Sequence, residues 1–283
     1  MTQKPVAVIT GAASGIGFAL AQVCAQRGMH VVMADKDVSR LHQAVAQITR
    51  NGSASAIPCD VTQALDVDCL LNQTYEQCQR VDMLYNNVGI IGHLAPFWEL
   101  SPEHIQEVMD VNLYGMIQVL QKFLPVLFKQ DFRSHIINMA SLFACCVGSQ
   151  LTPYSMSKHA ILALSETLHF ELNYFQKPVD VSVVFPSFTD TGLLSNATAE
   201  TDAFRHYLAS CLSFAKPALD VAEYIVRAVE NKQFYIFPDK EVSAYHQKRT
   251  EAMLQGTFPH QHSIESLLNS LMQRSKKQSS NIA

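Results

Sequence analysis

The sequence predicts an α/β fold, a doubly wound parallel sheet of about seven strands with helices on both faces and a C-terminal helical extension. Short β-branched runs alternate with longer amphipathic segments, which is typical of βαβ units. Several runs are nearly continuous in apolar residues, as expected of strands that helices cover on both faces. A glycine-rich turn also joins the first run to the first helical segment, a common opening of such sheets.

Seven runs are assigned to strands. In chain order they are Val6–Thr10, His30–Asp35, Ser53–Asp60, Asp82–Asn87, His135–Ser141, Val179–Phe185 and Gln233–Phe237. No repeat or linker interrupts residues 1–238, so this stretch is predicted to be a single domain. Residues 239–274 are predicted to form the helical extension and 275–283 a flexible tail. The evidence for the extension is an apolar stripe at helical spacing, formed by Ile264, Leu267, Leu268, Leu271 and Met272.

Composition limits the classes of function. The 283 residues are 48% hydrophobic, enough for a substantial core, and a net charge of −4 without basic blocks argues against a nucleic-acid partner. The seven cysteines never form a C-x-x-C pair, so we expect reduced thiols, no metal site and a cytoplasmic location. We also expect no transmembrane segment, because no apolar run is long enough.

The glycine loop predicts a nucleotide site. Gly11 allows a tight turn after the first strand, while Gly15 and Gly17 let a ligand approach the backbone and the helix pack on the strand. The helix start then offers free N–H groups to a pyrophosphate. The alternative is a glycine turn that binds nothing.

Two acidic positions extend this prediction. Asp35 lies eighteen residues past Gly17 at the end of the second strand, where a carboxylate can accept from the ribose of NAD. Lys36, the next residue, favours NADP instead, because a cation there could hold its 2′-phosphate. The alternative interpretation of Asp35 is a solvated loop aspartate that binds no cofactor. Asp60 and Val61 follow the third strand, where an adenine ring would rest, although Asp60 could equally be a helix N-cap.

The segment "YSMSK" sets Tyr154 four residues before Lys158. On a helix these positions share one face, so a cation would lie beside the phenol. The pattern alone does not separate catalysis from two polar residues on the solvent side of a helix.

Taken in order, the motifs resemble the short-chain dehydrogenase/reductase family, whose domain is Rossmann-like, over about residues 5–238. They are "TGAASGIG", "CDV" at 59–61, "NNVG" at 86–89, Asn112, Ser141, "YSMSK" and "PSFTDT" at 186–191. The resemblance implies dinucleotide contacts from Gly11, Ser14, Gly15, Ile16, Gly17, Asp35, Asp60, Val61, Asn87, Gly89, Tyr154, Lys158, Pro186, Thr189 and Thr191. The chain departs from the family pattern at Val88, where alanine is usual, and at Ser187, where glycine is common.

The resemblance also implies a catalytic set. Ser141, Tyr154 and Lys158 would surround the reacting carbonyl or alcohol, and Asn112 would hold a water in a proton relay to Lys158. A phenolate near neutral pH needs its pKa lowered by about 3, or about 4 kcal/mol. One cation lowers it by ~1–3, so the oxidised nicotinamide would supply the rest.

We therefore predict an NAD-dependent oxidoreductase that transfers a hydride to or from a secondary alcohol or ketone, NADP being the less favoured cofactor. The alternative is a non-catalytic dinucleotide-binding sensor or assembly subunit. Residues 187–217 are expected to form a lid whose basic residues are Arg205 and Lys216. Candidate wall residues predict a fairly apolar substrate; they are Leu142, Phe143, Phe188, Leu193 and Leu194. The helical segments after Asn112 and Tyr154 are apolar on more than one face and predict a homo-oligomer, a dimer or tetramer.

Overall fold

The structure is a computed structural model that describes residues 4–193, 198–199, 215–259, 263, 265–266 and 269–270. The predicted Arg205, Leu194, the apolar stripe of the extension and the tail lie outside these residues. Seven parallel strands form one sheet, in the order β11-β7-β6-β4-β1-β2-β3. They are β1 (Val6–Thr10), β2 (His30–Asp35), β3 (Ser53–Pro58), β4 (Met83–Asn86), β6 (Ser134–Met139), β7 (Val179–Val184) and β11 (Tyr235–Ile236). The predicted doubly wound sheet is confirmed.

Helices connect the strands on both faces of the sheet. They are α1 (Gly15–Gln26), α2 (Val38–Ile48), α3 (Ala64–Cys78), α4 (Pro102–Met109), α5 (Gly115–Leu127), α6 (Thr152–Tyr174), α7 (Ala218–Glu230) and α8 (Lys240–Leu254). One π-helical turn, Asp110–Tyr114, joins α4 to α5. Two apolar clusters cover the two faces of the sheet, and β1 contributes Val6 and Val8 to one and Ala7 and Ile9 to the other. This alternation explains why the β1 sequence is apolar without interruption.

Among the residues that the structure describes, four two-residue strands lie outside the main sheet. These are β5 (His93–Leu94), β8 (Thr189–Asp190), β9 (Thr198–Ala199) and β10 (Lys216–Pro217), and they pair as β5 with β9 and β8 with β10. The strand order reverses between the neighbours β1 and β4. From β1 the chain continues outward to β2 on one side, and from β4 it continues to β6 on the other side. A crevice forms at the carboxyl ends of strands at such a point, so the fold itself positions a ligand site there.

Candidate active site

One cleft of about 370 Å³ lies at the carboxyl ends of the strands. Most of the predicted site residues line it: Gly11, Ser14, Gly15, Ile16, Asp35, Asp60, Val61, Asn87, Gly89, Ser141, Tyr154, Lys158, Pro186, Thr189 and Thr191. Gly17 and Asn112 are the two that do not line it. Both support the cleft from behind, as described below.

The glycine loop has the conformation that glycine permits. Gly11 and Gly15 have φ of +65° and +56°, in the left-handed region. A Cβ at Gly17 would overlap the carbonyl oxygen of Gly11 and lie 2.6 Å from Asn87 Nδ2. Ser14 is the N-cap of α1 but its side chain makes no capping hydrogen bond. Gly15 and Ile16, the first residues of the helix, line the cleft, and the helix start has no side-chain cap from Ser14, which suits an anionic group such as a pyrophosphate.

Asn87 holds this loop against β4. Its Nδ2 donates to the carbonyl oxygens of Thr10 and Gly11, at 3.1 and 3.2 Å, and its backbone N–H donates to Thr10 Oγ1 at 3.1 Å. Its side chain thus fixes the shape of the phosphate loop in addition to lining the cleft.

A charged cluster lies at the β2 end of the cleft. Asp35 accepts from the backbone N–H of Ala13 through Oδ2 and of Asp37 through Oδ1, each at 3.0 Å. Lys36 and Arg40 line the same end, and Arg40 pairs with Asp37 at 3.4 Å. Sequence reasoning missed Arg40, which the first turn of α2 brings to the cleft. Each Asp35 oxygen has one backbone donor, so each retains an acceptor position for a ligand hydroxyl.

Asp60 and Val61 follow β3, and both line the cleft. Asp60 does not cap α3, because that helix begins at Ala64 with Gln63 at the N-cap. Its Oδ1 instead accepts from the backbone N–H and the hydroxyl of Thr62, at 2.9 and 2.8 Å. The N-cap interpretation of Asp60 is wrong.

Tyr154 and Lys158 lie on α6, and both are buried, at 5% and 3% exposed. Lys158 Nζ is 5.6 Å from the centroid of the Tyr154 ring and donates to the carbonyl oxygen of Met139 at 3.0 Å. The i, i+4 spacing therefore brings a cation to a phenol inside the protein rather than on the solvent side of the helix.

Burial shifts both groups. It raises the pKa of the Tyr154 phenol, which a hydrogen bond with Ser141 lowers in part. It lowers the pKa of Lys158 to about 8, because the ammonium is removed from water. Burial thus shifts each group towards its neutral form, and with a pKa of about 8 the ammonium remains the main form of Lys158 at neutral pH.

Asn112 lies on the π-helical turn and is completely buried. Its Oδ1 accepts from Ile90 N–H at 2.8 Å, and its Nδ2 donates to Ile90 O at 2.9 Å and Ser157 Oγ at 3.0 Å. A Cβ at Gly89 would lie 3.3 Å from Lys158 Nζ and 3.5 Å from Asn112 Oδ1. The side chain of Asn112 thus holds the loop after β4 against α6, immediately behind Lys158.

The loop after β7 forms the opposite wall. Pro186, Ser187, Phe188, Thr189 and Thr191 line the cleft. Leu142 N–H donates to Pro186 O at 2.9 Å, which joins this loop to the loop that carries Ser141. Ser187 N–H donates to the buried carboxylate of Asp239 at 3.1 Å. Sequence reasoning missed Asp239, since a polar residue before a helix carries no signal of a contact fifty-two positions away.

The wall beside Tyr154 is apolar. Leu142, Phe143, Phe188 and Leu193 line it as expected, together with Ile90, Ile91, Val111 and Leu151. In the described part of the chain, the lining cations are Lys36 and Arg40 at the β2 end and Lys158 in the floor. No group of three His, Cys, Asp or Glu among the described residues could hold a metal ion. Within the same residues, no helix is both long and apolar enough to cross a membrane.

A cleft at the switch point, a glycine loop with an open helix start, and a buried Tyr-Lys pair define a dinucleotide-binding fold with a proton-transfer centre. A model of the short chain dehydrogenase family matches residues 5–202. The protein belongs to the short-chain dehydrogenase/reductase family, as the sequence motifs predicted. It is accordingly an oxidoreductase that acts on CH–OH groups with a nicotinamide cofactor.

Individual relatives agree with this assignment. The chain is 34% identical over 241 residues to 1-deoxy-11-beta-hydroxypentalenate dehydrogenase of Streptomyces exfoliatus, covering 84% of each chain. It superimposes with a TM-score of 0.86 and 30% identity on a short-chain dehydrogenase/reductase from Burkholderia phymatum in complex with NAD, covering 91% of this chain and 97% of that one. A short-chain dehydrogenase from Sphingobium yanoikuyae in complex with NADPH, 22% identical, shares the fold with a TM-score of 0.73, covering 89% and 94% of the two chains.

Proposed function

We propose that the protein transfers a hydride between NAD and a fairly apolar secondary alcohol or ketone, with Tyr154 as the general acid/base. The observation that carries this proposal is the burial of Tyr154 and Lys158 together in the floor of the cleft, with Ser141 hydrogen-bonded to the phenol. Burying an ammonium beside a phenol is costly, which favours a catalytic use of the pair over dinucleotide binding alone.

The roles follow from the chemistry of each group. The bound nicotinamide supplies or accepts the hydride. Tyr154 Oη gives a proton to the substrate oxygen in reduction and takes it in oxidation, and Ser141 Oγ donates a hydrogen bond to the same oxygen. The Lys158 ammonium stabilises the phenolate, and Asn112 keeps the loop after β4 in place for the proton relay.

Tyr154→Phe tests the acid/base role. We expect the rate of hydride transfer to fall at least ~100-fold, because the proton donor is lost, while the dissociation constant for NADH changes only a few-fold. Tyr174→Phe, at an 81% exposed position of the same helix, is the matched control and should keep full activity. The rate is measured from nicotinamide absorbance over a panel of secondary alcohols, hydroxysteroids and hydroxyacyl compounds. If Tyr154→Phe keeps more than about a tenth of the wild-type kcat, Tyr154 is not the acid/base. Absence of turnover by the wild type over the whole panel would favour the sensor alternative.

The preference for NAD rests on Asp35. Its carboxylate has acceptor positions for the ribose hydroxyls, whereas a 2′-phosphate would place a like charge beside it. That repulsion costs ~1–3 kcal/mol, and each ~1.4 kcal/mol is tenfold in kcat/KM. Arg40 pairs with Asp37 at 3.4 Å, which reduces its attraction for a 2′-phosphate, whereas Lys36 at the same end of the cleft is the cation that favours NADP.

Asp35→Asn tests this preference by removing the charge with little change of shape. We expect NAD efficiency to fall and the NADP to NAD ratio of kcat/KM to rise about tenfold. Asp37→Asn is the matched control, because asparagine can still cap α2 while it releases Arg40. If the NADP to NAD ratio of kcat/KM rises more in Asp37→Asn than in Asp35→Asn, the Asp37–Arg40 pair rather than Asp35 sets the cofactor preference. Equal use of both cofactors by the wild type would contradict the preference.

The substrate class rests on the apolar wall and on the absence of a described cation there besides Lys158. A neutral, apolar ketone or alcohol suits this surface better than a phosphate or coenzyme A ester. The similar dehydrogenase named for a hydroxypentalenate supports a hydroxyl-bearing substrate. The division at residues 238/239, the cytoplasmic location and the homo-oligomer remain predictions. Exposed Met156, Phe170 and Tyr174 on α6 support the last of these.

A further inference from the structure

Asp239 is a buried carboxylate in the residue that precedes α8, and it is only 2% exposed. Its Oδ1 pairs with Lys216 Nζ at 2.5 Å, and its Oδ2 accepts the backbone N–H of Ser187 at 3.1 Å. Lys216 Nζ also donates to Pro238 O at 3.0 Å. Since a buried charge is stable only when it is paired and hydrogen-bonded, both partners are needed to keep this carboxylate in place.

The carboxylate is directed away from its own helix. Asp239 holds the N-cap position of α8, where aspartate commonly accepts from the first N–H groups of the helix, yet it makes no side-chain capping bond. Both of its oxygens instead bind groups from other elements. Its contacts therefore serve the loop after β7 and strand β10 rather than the start of α8.

The two partners belong to the wall of the cleft. Ser187 lies in the loop 186–191, which lines the cleft, and Lys216 begins β10, which pairs with β8 of the same loop. Lys216 N–H donates to Phe188 O at 3.1 Å. Asp239 thus joins three stretches that are far apart in the sequence, at the back of one wall.

We propose that Asp239, paired with Lys216, is a positioning residue that holds the loop 186–191 against the nicotinamide end of the bound cofactor. The proposal rests on the proposed function, which assigns this end of the cleft, beside Tyr154, to the nicotinamide. It gives the C-terminal extension a role in the chemistry, because the extension contributes the carboxylate. Small displacements of such a wall matter, since a shift of ~1 Å can cost ~100-fold in rate.

The test compares two ligands that differ in the nicotinamide alone. NADH carries it and ADP-ribose does not, so the ratio of their dissociation constants reports the hold on the nicotinamide without requiring turnover. We expect Asp239→Asn to weaken NADH binding about tenfold and to leave ADP-ribose binding within about two-fold, because the glycine loop is untouched. The emission of bound NADH should fall towards that of the free cofactor.

The matched control is Asp82→Asn. Asp82 also accepts a backbone N–H, that of Val6 at 2.7 Å, and also pairs with a cation, Arg80, but it lies at the opposite ends of the strands. The Asp82→Asn variant should lose thermal stability without changing the ratio of the two dissociation constants.

The Lys216 variants test the other half of the ion pair. Lys216→Arg, which keeps the charge, should keep most of the wild-type ratio, whereas Lys216→Gln should behave like Asp239→Asn. Lys216→Gln also serves as the test if Asp239→Asn does not fold.

The outcomes separate the two proposals. If Asp239→Asn and Lys216→Gln weaken the binding of NADH and ADP-ribose equally, or change neither dissociation constant, Asp239 has only a structural role and the inference is overturned. If the wild type binds NADH no more tightly than ADP-ribose, the loop does not hold the nicotinamide and the inference also fails. If the wild type binds neither ligand, the proposed function itself is wrong.

Discussion

Replacing Lys158 by methionine should make the protein more stable at neutral pH while it removes activity. Burial lowers the pKa of Lys158 from 10.5 to about 8. This difference corresponds to about 3 kcal/mol of destabilisation of the folded state at a pH below about 8, where the lysine is charged in both the folded and the unfolded chain. Methionine has a similar shape and no charge. It leaves Met139 O without its donor, which costs ~1–3 kcal/mol, so the net gain at pH 7 is about 1 kcal/mol.

The pH dependence gives the sharper test. Because the folded pKa lies below the unfolded one, the unfolded chain binds more protons between about pH 8 and pH 10.5, and wild-type stability rises with pH across that window. The penalty is complete below the window and absent above it. Relative to Lys158→Met, the wild type should therefore gain about 2 kcal/mol between pH 7 and pH 9.5.

Urea unfolding at both pH values, followed by circular dichroism, measures this gain. Lys129→Met removes a lysine from an exposed position and is the control for the loss of one positive charge. If the stability of the wild type relative to Lys158→Met is the same at both pH values, Lys158 is not a buried ammonium. The electrostatic argument for its role beside Tyr154 then fails.

Three further outcomes follow from other parts of the molecule. Gly17→Ala should weaken NADH binding more than about tenfold, because its Cβ would overlap Gly11 O. Gly28→Ala should leave binding unchanged, because its Cβ meets nothing within 4 Å, although its φ of +82° costs the fold some stability; titration of both variants with NADH decides. Burial lowers the pKa of His135 to about 4, so protonation should cost about 3 kcal/mol of stability as the pH falls from about 6.5 to 4, and His135→Gln should flatten that decline in urea unfolding. Sedimentation at micromolar concentration should give the wild type a mass that is a multiple of the chain mass. Phe170→Glu should lower this mass, whereas the control Phe258→Glu, at a 93% exposed position near the end of α8, should not. A monomeric wild type would contradict the oligomer.

The main sheet was predictable because its signals are local. The β1 and β2 boundaries coincide with the runs Val6–Thr10 and His30–Asp35, since buried parallel strands are apolar along their whole length. The strands β5, β8, β9 and β10 were not predicted. Each has two residues, which is too short for any periodicity, and each exists only through pairing with a distant segment.

The site was predictable to the extent that its residues carry motifs. The glycine loop, Tyr154 and Lys158 are encoded by short spacings along the chain. Arg40 and Asp239 are not, because they reach the cleft wall through a helical turn and through a contact across fifty-two positions. The π-helical turn that buries Asn112 also has no local signal, since Asn112 is fixed by Ile90 and Ser157 from two other elements.

The pKa values of Tyr154 and Lys158 must be read as those of a pair. In the protein alone, burial raises the pKa of the phenol and lowers that of the ammonium to about 8, so the first proton lost as the pH rises comes from Lys158. A phenol beside a neutral amine and a phenolate beside an ammonium hold the same number of protons. One apparent pKa therefore describes the loss of the first proton from the pair, whichever group gives it up. A positively charged nicotinamide bound beside the phenol would favour the phenolate form of the pair. With the oxidised cofactor bound, Tyr154 rather than Lys158 would be the group that has lost the proton and can accept one from an alcohol, so proton removal would depend on the presence of the group that accepts the hydride.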